Sequence, residues 1–474
     1  MHRVLTRTGR ALRGCRQHSS LIAATKLKYE DSLTAPRIQE HVDQKETHYT
    51  GNSKMDLEWE YVRSREFERE LSALRMLART TQGPFYVVNL SALRAKHEQW
   101  KMLLPRVEPF YAVKCNPNER LLSSLRSLGT GFDCASLGEM QLALAAGASP
   151  DQIVYANPCK QVDHLESARG LGVKLMTFDN HSELIKIARI HPEAKLILRI
   201  LVDDSHSICQ MGQKYGAALE DVASLLGTAK SLGLDVCGVS YHVGSGCCSA
   251  EAFHSAVVAA RAAFDIGAAE GFNLDILDIG GGFPGQFLPQ DDTAGISFQA
   301  IADTLRPALD LYFPESSGVR LIAEPGRFYA TASHTLATSV IGRREPRGTR
   351  VSVNADTNEL ELEPAPGYMY YMNDGLYGSF NCVMYDHVNL SKTNKPFSLD
   401  NSWQVDGSTL VSRDVYPCSL WGPTCDGLDC VMEDAHLPLL EEGDYICFKD
   451  MGAYTFAAGS RFNGFKQPSM YFLE

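Results

Sequence analysis

The sequence has no apolar run long enough to span a bilayer, although 44% of its 474 residues are hydrophobic. Because a transmembrane helix needs about 20 consecutive apolar residues, we expect a soluble chain with no membrane partner. An excess of positive charge is also missing, since the formal net charge is -12. Such a chain is poorly suited to a phosphate backbone, so no nucleic acid partner is predicted, whereas an acidic surface suits a cationic substrate.

Cysteines in a metal-binding spacing are absent as well. The 13 cysteines are odd in number and scattered. The pairs Cys247-Cys248 and Cys425 with Cys430 lack matching partner ligands, so no metal site is predicted. We expect a reduced compartment in which most of these thiols are small buried hydrophobic groups.

Acidic residues are absent before Glu30, in a segment that contains five arginines and two serines. This composition is typical of a mitochondrial transit peptide. A disordered basic extension on a cytoplasmic protein explains it equally well, because Gly9 and Gly14 weaken a helix. Residues 1–51 are therefore predicted to be an N-terminal extension, disordered or targeting, and we expect a cytoplasmic protein with mitochondrial import as the alternative.

Short apolar strands alternate with helical segments between residues 82 and 328, a pattern typical of parallel β/α architecture. Eight strands are predicted, and each ends at a polar residue or a glycine run. The eight ends, in chain order, are Lys114, Asp133, Asn157, Asp179, Arg199, His242, Gly280-Gly281-Gly282 and Glu324. Eight such units close into a (β/α)8 barrel whose carboxyl rim holds the chemistry. An open doubly wound sheet is the alternative fold.

Residues 329–474 show alternating apolar and polar residues with Gly, Asn and Asp turns, which predicts a C-terminal β domain. We assign residues 52–81 to the same domain. Two polar stretches, roughly 343–366 and 390–412, are expected to be exposed loops. The predicted architecture is thus an α/β protein with two folded domains.

Lys114 lies at the tip of the first predicted barrel strand, after the apolar run 110–113. An ammonium has little structural use there, and burial at such a position lowers the pKa of a lysine. A neutral amine on a rigid element can attack a carbonyl, as Schiff-base enzymes require. A lysine whose ammonium simply extends into water is the alternative interpretation.

Residues 280–285 match the dinucleotide pattern GxGxxG, but Pro284 and the residues after it do not open the helix that this pattern requires. Consecutive glycines still expose backbone N–H groups that can hold one phosphate. Glu324 and Arg327 add an acid for a basic nitrogen and a guanidinium for the phosphate. A local ion pair between these two side chains is the alternative.

His242 is followed by Ser245 within a glycine-rich segment. The imidazole can stack on a flat ring while Ser245 donates to a phosphate, and a satisfied core histidine is the alternative. Pyridoxal 5′-phosphate needs a lysine, a phosphate cradle, an acid for its ring nitrogen and a stacking partner. This cofactor is therefore predicted.

Eight motifs resemble those of the eukaryotic ornithine decarboxylases, and the resemblance extends from about residue 55 to the carboxyl terminus. The motifs are YAVKCN, GFDCAS, YHVGSG, DIGGGFPG, EPGR, YGSFN, WGPTCDGLD and MGAYT. The resemblance implies an alanine-racemase-like fold, in which a barrel is combined with a β domain. It also implies a carboxy-lyase that converts L-ornithine to putrescine and CO2 with pyridoxal 5′-phosphate, the first step of polyamine biosynthesis.

The resemblance implies a role for each site residue. Lys114 would bind the cofactor covalently, His242 would stack on its ring, and Glu324 would bind the pyridine nitrogen. Ser245, Gly282, Arg327 and Tyr454 would hold the phosphate. The remaining cofactor-binding residues would be Asp133, Glu139, Arg199, Gly280 and Gly281.

The substrate residues implied by the resemblance are Tyr377, Asp386 and Asp426 of the β domain. Two carboxylates suit the distal ammonium of ornithine, whose burial needs a counter-charge. Cys425 would act with Lys114 and His242 in catalysis, by returning a proton to the α-carbon after CO2 leaves. In the family, Tyr377, Cys425 and Asp426 reach the barrel of the partner subunit, which implies a homodimer with shared active sites. Antizyme, a regulatory protein of the family, is a further candidate partner.

Alternatives to this function stay open. A related decarboxylase of lysine, arginine or diaminopimelate has the same barrel, and lysine is expected to be a slow second substrate because one methylene discriminates modestly. A non-catalytic regulator that resembles the antizyme inhibitors is a rival of another class, although such relatives lose cofactor-binding residues that are present here. The chain ends at Glu474 without the long tail of animal members, which predicts slow turnover of the protein.

Overall fold

The computed structural model describes residues 54–286, 295–346, 350–353, 360–363, 367–399 and 414–474. The chain divides into two compact units, residues 1–62 and residues 63–474. The predicted extension 1–51 lies outside the described residues. The barrel and the sheet described below both belong to the second unit. No helix within the described ranges combines the length and the apolar character that a membrane span requires.

Helices and strands alternate through most of the chain up to residue 323. In chain order they are α1 (Lys54–Ala78), β1 (Phe85–Asn89), α2 (Leu90–Leu103), β2 (Val107–Ala112), α3 (Glu119–Ser127), β3 (Gly131–Cys134), α4 (Leu137–Ala145), β4 (Ile153–Tyr155), α5 (Val162–Leu171), β5 (Leu175–Phe178), α6 (His181–Ile190), β6 (Lys195–Arg199), β7 (Ser207–Cys209), α7 (Leu219–Ser231), β8 (Asp235–Ser240), β9 (Ser245–Cys247), α8 (Ala250–Ala269), β10 (Ile276–Asp278), α9 (Phe298–Tyr312) and β11 (Arg320–Ala323).

Eight of these strands close into a barrel in the order β10-β11-β2-β3-β4-β5-β6-β8. Every neighbouring pair is parallel. Seven of the predicted strand ends fall within two residues of the carboxyl ends of these strands, and the eighth, the glycine run, begins two residues after β10, which confirms the (β/α)8 barrel. Strands β7 and β9 pair antiparallel with each other in the connections after β6 and β8.

Side-chain alternation decides which strand residues face the barrel interior. Seven of the barrel strands each contribute one buried residue to a small apolar cluster, and these residues are Phe110, Val154, Leu175, Ile197, Cys237, Ile276 and Ile322. Their strand neighbours belong instead to the large core between the strands and the helices. Because successive strand side chains point to opposite faces, Arg199, Asp278 and Glu324 face the interior, each two residues after a member of the cluster.

The remaining elements form the second domain. In chain order they are α10 (Arg327–Ala330), β12 (His334–Arg344), β13 (Arg350–Val353), β14 (Leu360–Glu363), β15 (Tyr368–Met372), α11 (Cys382–Tyr385), α12 (Leu390–Thr393), β16 (Phe397–Ser398), β17 (Val415–Trp421), β18 (Cys430–Pro438), β19 (Tyr445–Phe448) and β20 (Ser469–Leu473). An eight-stranded sheet contains the path β16-β19-β12-β15-β17-β18, and β1 extends it by pairing with β12 and with β20. The sheet confirms the predicted C-terminal β domain.

Strand β1 belongs to this sheet, although it lies within the segment 82–328 that was assigned to the barrel. It pairs antiparallel with β12 and parallel with β20. All five of its side chains are buried. Tyr86 and Val88 join the core of the sheet, whereas Phe85 and Val87 pack with helix α1. A strand that is buried on both faces shows no polar alternation, so its sequence does not reveal which sheet it joins.

Both predicted exposed loops contain regular structure. The stretch 343–366 includes the antiparallel hairpin of β13 and β14. The stretch 390–412 includes α12 and strand β16, which pairs with β19, while residues 400–413 lie outside the described residues. Leucine and glutamate alternate along β14, and this period of two is typical of a strand.

Candidate active site

Lys114 lies in a 3-10 turn (Val113–Cys115) directly after β2, at the carboxyl rim of the barrel. Its Nζ is 2.6 Å from Oδ2 of Asp133 on the neighbouring parallel strand β3. Burial lowers the pKa of Lys114, but Asp133, Tyr454 and Glu324 raise it by more, so the net pKa is raised. The expectation of a lowered pKa is therefore wrong for this structure, in which the amine is an ammonium paired with a buried carboxylate.

Glu324 and Asp278 form a buried pair of carboxyl groups on the interior face of the barrel. Asp278 is fully buried, and its Oδ1 accepts a hydrogen bond from Gly280 N at 2.9 Å. Burial raises the pKa of Asp278 to about 7. Burial, followed by the charges of Asp278 and Asp133, raises the pKa of Glu324 well above its ordinary value. The pair therefore keeps a proton near neutral pH.

The glycine run after β10 packs directly against the segment that carries His242. A Cβ at Gly280 would overlap the carbonyl oxygen of Tyr241, and a Cβ at Gly281 would lie 2.8 Å from His242 Nε2. Gly280 and Gly282 also have positive φ angles of 63° and 101°. Close approach and backbone conformation thus both require glycine here.

The imidazole of His242 is neutral. Burial, followed by the charges of Arg199 and Lys114, lowers its pKa well below the ordinary value. Its Nδ1 accepts a hydrogen bond from Gly244 N at 2.9 Å, so the hydrogen of the neutral ring resides on Nε2. A neutral ring beside a glycine surface suits stacking on a flat ligand.

Arg327, which opens helix α10, binds two of the predicted site residues at once. Its Nη2 donates to Ser245 Oγ at 2.9 Å and to Asp386 Oδ1 at 2.7 Å. Its guanidinium carbon lies 5.0 Å from the ring centroid of Tyr454. Three predicted phosphate-binding residues therefore converge, and Asp386, which was predicted for the substrate, joins them.

Tyr454 reaches the rim because its segment is attached to the turn after β2. Tyr454 N donates to Cys115 O at 3.0 Å. Asn116 Nδ2 donates to Gly452 O at 2.9 Å and lies 3.1 Å from His334 Nε2. These contacts hold the sheet domain against the barrel at the point where the turn that carries Lys114 ends.

Glu139 and Arg199 line the same rim. Glu139 Oε2 accepts a hydrogen bond from Ala135 N at 2.6 Å, and burial raises the pKa of this carboxyl. The guanidinium carbon of Arg199 lies 5.3 Å from the ring of Tyr215. With these two, the structure brings the whole predicted set of cofactor-binding residues to one end of the barrel.

The other predicted substrate residues form a separate cluster in the sheet domain. The Tyr377 hydroxyl donates to Asp426 Oδ2, and the Tyr377 ring stacks on Phe462 with centroids 4.4 Å apart. Cys425 is exposed. Within the described part of the chain, no hydrogen bond, ion pair or ring contact joins the side chains of Tyr377, Cys425 or Asp426 to the barrel rim. In a single chain, the predicted site residues therefore form two separate groups, one at the barrel rim and one in the sheet domain.

Asp429 holds the two segments of this cluster together. Its Oδ1 accepts from Leu376 N at 2.8 Å, and its Oδ2 accepts from Thr424 N at 3.0 Å and from Thr424 Oγ1 at 2.7 Å. The carboxylate is almost fully buried. It therefore determines the positions of Tyr377 and Cys425, which follow Leu376 and Thr424 in the chain.

Sequence reasoning missed four residues that shape these clusters, namely Asp278, Asn116, His334 and Asp429. The sequence could have indicated Asp278, because this residue follows Ile276 by two positions on the interior face of the barrel and precedes the glycine run. Asp429 is the last residue of the motif WGPTCDGLD, which is a weaker indication of its role. Asn116 and His334 are polar residues whose contact depends on how the two domains pack, and nothing local in the sequence indicates it.

These residues fit pyridoxal 5′-phosphate. The glycines after β10 pack directly against the segments that carry His242 and Glu324, because a Cβ at Gly281 would lie 2.8 Å from His242 Nε2 and 3.0 Å from Glu324 O. Glu324 offers a buried acid for a ring nitrogen, and Arg327 with Ser245 offers donors for a phosphate. Lys114 supplies the amine on the same rim. The barrel fold and the site residues together are those of the barrel-type class of pyridoxal-dependent decarboxylases.

Comparison with known proteins supports this class and narrows it. The family model "Pyridoxal-dependent decarboxylase, pyridoxal binding domain" matches residues 90–331. Ornithine decarboxylase of Mus pahari is 47% identical over 393 residues, which cover 82% of this chain and 80% of that protein. Antizyme inhibitor 2 of Xenopus laevis is 45% identical over 388 residues, which cover 82% of this chain and 80% of that protein.

A solved structure shows the same fold. The arginine decarboxylase of Paramecium bursaria Chlorella virus superposes with a TM-score of 0.74 and 35% identity, and the alignment covers 85% of this chain and all of that one. The chain belongs to the ornithine decarboxylase family of pyridoxal-phosphate-dependent enzymes.

Proposed function

We propose that the protein decarboxylates L-ornithine to putrescine and CO2 with pyridoxal 5′-phosphate, as the first step of polyamine biosynthesis. The observation that carries the proposal is the convergence of Lys114, Asp133, His242, Glu324 and Arg327 on one barrel rim. The identity to ornithine decarboxylases supports the substrate.

When bound, the cofactor supplies an electron sink for the pair of electrons that the departing carboxylate leaves behind. Lys114 would hold it covalently, and the neutral His242 would pack on its ring. The Glu324 carboxyl would bind the ring nitrogen and keep a proton there. Asp133, Glu139 and Arg199 would line the pocket, and Ser245, Gly280, Gly281, Gly282, Arg327 and Tyr454 would hold the phosphate.

The chain's own groups also bind the substrate and handle its proton. Asp386 and Asp426 would provide counter-charge for the distal ammonium of ornithine, and Tyr377 would orient Asp426 through its hydrogen bond. Cys425, an exposed thiol on the same loop, would donate a proton to the α-carbon once CO2 has left. Positioning of the reacting bond is the main contribution of these residues.

A homodimer is part of the proposal. Tyr377, Cys425 and Asp426 lie apart from the barrel rim of their own chain, so a second copy is needed to complete each site. The cluster is flanked by large exposed hydrophobic residues, Phe462 at 44% and Leu428 at 68% exposure. Such residues are suited to an interface between subunits.

The rival of another class is a non-catalytic regulator, since antizyme inhibitor 2 of Xenopus laevis is a close relative. The complete lysine, imidazole, acid and guanidinium set favours catalysis. Loss of even one of these groups would favour the regulator. Binding to antizyme is compatible with both functions, the decarboxylase and the regulator.

Release of CO2 from carboxyl-labelled ornithine by the cofactor-loaded protein tests the proposal. We expect ornithine to have the highest kcat/KM, lysine a lower one, and arginine the lowest. Absence of CO2 from all three substrates would support the regulator, and a higher kcat/KM for lysine or arginine would change the substrate.

We also propose a cytoplasmic location, with mitochondrial import through residues 1–51 as the alternative. The full chain with a C-terminal fluorescent tag should fill the cytoplasm. A mitochondrial signal that disappears when residues 1–51 are removed would establish the alternative.

A further inference from the structure

The Arg327–Asp386 ion pair joins two groups that the proposed function assigns to different ligands. Arg327 is assigned to the cofactor phosphate, and Asp386 is assigned to the substrate ammonium. Their Nη2 and Oδ1 atoms are 2.7 Å apart, and the two side chains are only 19% and 9% exposed. Each group therefore serves as the other's counter-ion in this structure.

Asp386 has capacity for a second partner. Its Oδ2 is buried and has no hydrogen bond within the described residues. Cys209 Sγ lies 3.9 Å from Oδ1, so the free oxygen is not satisfied by this thiol. A buried carboxylate oxygen without a donor is costly, and an arriving ammonium would supply the missing donors.

Arg327 is also shared. The same Nη2 atom contacts Ser245 Oγ at 2.9 Å, and the ring of Tyr454 lies beside the guanidinium. A phosphate at this point would bind next to the Asp386 carboxylate, and the two anions would repel each other at low exposure to solvent. A cation bound to Asp386 would remove that repulsion.

We propose that the Arg327–Asp386 pair couples the two ligands, so that a diamine at Asp386 tightens binding of the cofactor phosphate at Arg327. The proposal rests on the proposed function, which assigns these two ligands. Because coupling between sites is reciprocal, the phosphate tightens diamine binding by the same factor. We expect a factor of about ten, within the range typical of coupled sites.

The test uses 4-deoxypyridoxine 5′-phosphate, which has the phosphate and the ring but no aldehyde. It cannot form a covalent bond with Lys114 or with a diamine, so its affinity reports non-covalent coupling alone. Its Kd is measured on the full-length protein by calorimetry, with and without putrescine. We expect putrescine to tighten binding about tenfold.

Matched variants show whether Asp386 carries the effect. Asp386→Asn should bind the phosphate compound more tightly than the unmodified protein when putrescine is absent, and putrescine should no longer change its Kd. Asp386→Glu keeps the charge and should retain the coupling. Asp434→Asn removes an exposed carboxylate on β18 and should behave as the unmodified protein does.

A phosphate-free compound completes the design. 4-Deoxypyridoxine should bind all variants alike and should not respond to putrescine. The proposal is overturned if Asp386→Asn leaves the Kd of the phosphate compound unchanged, or if putrescine acts equally on Asp386→Asn. Labelled CO2 release from ornithine, measured separately, distinguishes failure of this coupling from failure of the proposed function.

Discussion

Asn116 Nδ2 lies 3.1 Å from Nε2 of the buried His334, across the junction between the barrel and the sheet. His334 Nδ1 is 2.8 Å from Ser333 Oγ, whose hydroxyl donates to Ala330 O. Burial lowers the pKa of His334 to about 3. The ring is therefore neutral, with Nε2 as the acceptor from Asn116 and Nδ1–H as the donor to Ser333.

Asn116→Asp tests this junction, because it keeps the shape of the side chain and removes both donors. We expect the free energy of unfolding to fall by about 3 kcal/mol, since a buried charge is left unpaired. Cofactor affinity should fall as well, because the turn that carries Lys114 ends at this residue. Denaturant melts and cofactor titrations measure the two effects.

Acidic pH should partly rescue Asn116→Asp. The new carboxylate favours the imidazolium, so the pKa of His334 rises above its value of about 3 in the unmodified protein. As the pH falls, protonation of His334 therefore destabilises the variant less than it destabilises the unmodified protein, and the difference in stability between the two narrows. Asn118→Asp is the control, because aspartate caps helix α3 as well as asparagine does. If the stability of the two variants depended on pH in the same way, the proposed hydrogen bond between Asn116 and His334 would be contradicted.

Asp278→Asn should remove the loss of stability that the folded protein suffers when the buried carboxyl of Asp278 ionises. Burial raises the pKa of Asp278 to about 7, and a carboxyl whose pKa is raised by folding favours the folded state at low pH and loses this contribution as pH rises towards 7. The variant should therefore gain stability relative to the unmodified protein between about pH 4 and pH 7, by up to about 4 kcal/mol. Urea unfolding at several pH values measures the difference. A difference that is independent of pH would refute the role of this carboxyl.

Lys114→Ala should abolish covalent attachment of the cofactor and lower kcat about 1000-fold. Borohydride treatment of the loaded protein, followed by mass spectrometry of the peptide around residue 114, measures the attachment. Lys101→Ala, an exposed lysine of α2, should keep both label and activity. A label that persists in Lys114→Ala would place the attachment elsewhere.

Asp429→Ala should lower turnover without loss of the cofactor. Leu376 N and Thr424 lose their acceptor, so Tyr377 and Cys425 are no longer held in place. We expect kcat to fall about 100-fold while the absorption spectrum of the loaded enzyme is unchanged. Thr424→Ser keeps the hydroxyl and is the control. A parallel loss of cofactor would show that the residue supports the whole fold instead.

Mixing Lys114→Ala with Cys425→Ala tests the shared sites. Each variant alone should be nearly inactive. In a random mixture half of the dimers are mixed, and each of these has one intact site out of two, so about a quarter of the activity should return. No recovery after subunit exchange, verified by native mass spectrometry, would argue that each site is built from one chain.

The barrel and most of the residues at its rim could be predicted because the sequence patterns that indicate them are only a few residues long. Each strand end is a short apolar run followed by a polar residue or glycines, and parallel strands bring such ends to one edge whatever the details of packing. Lys114, His242, Glu324 and Arg327 were predictable for this reason. Strand β1, buried on both faces, was assigned to the wrong segment because its pattern is the same in either sheet.

The amino-acid sequence by itself determined the eight-unit barrel, the cofactor and the residue types at its rim, because these depend on periodicity and on motifs a few residues long. Only the tertiary structure decided what each group contacts. It paired Lys114 with Asp133 and so raised the pKa of the amine, placed Asp278 beside Glu324, and joined Arg327 to Asp386. Charges and donors interact over a few ångströms, and residues far apart in sequence reach such distances only through packing.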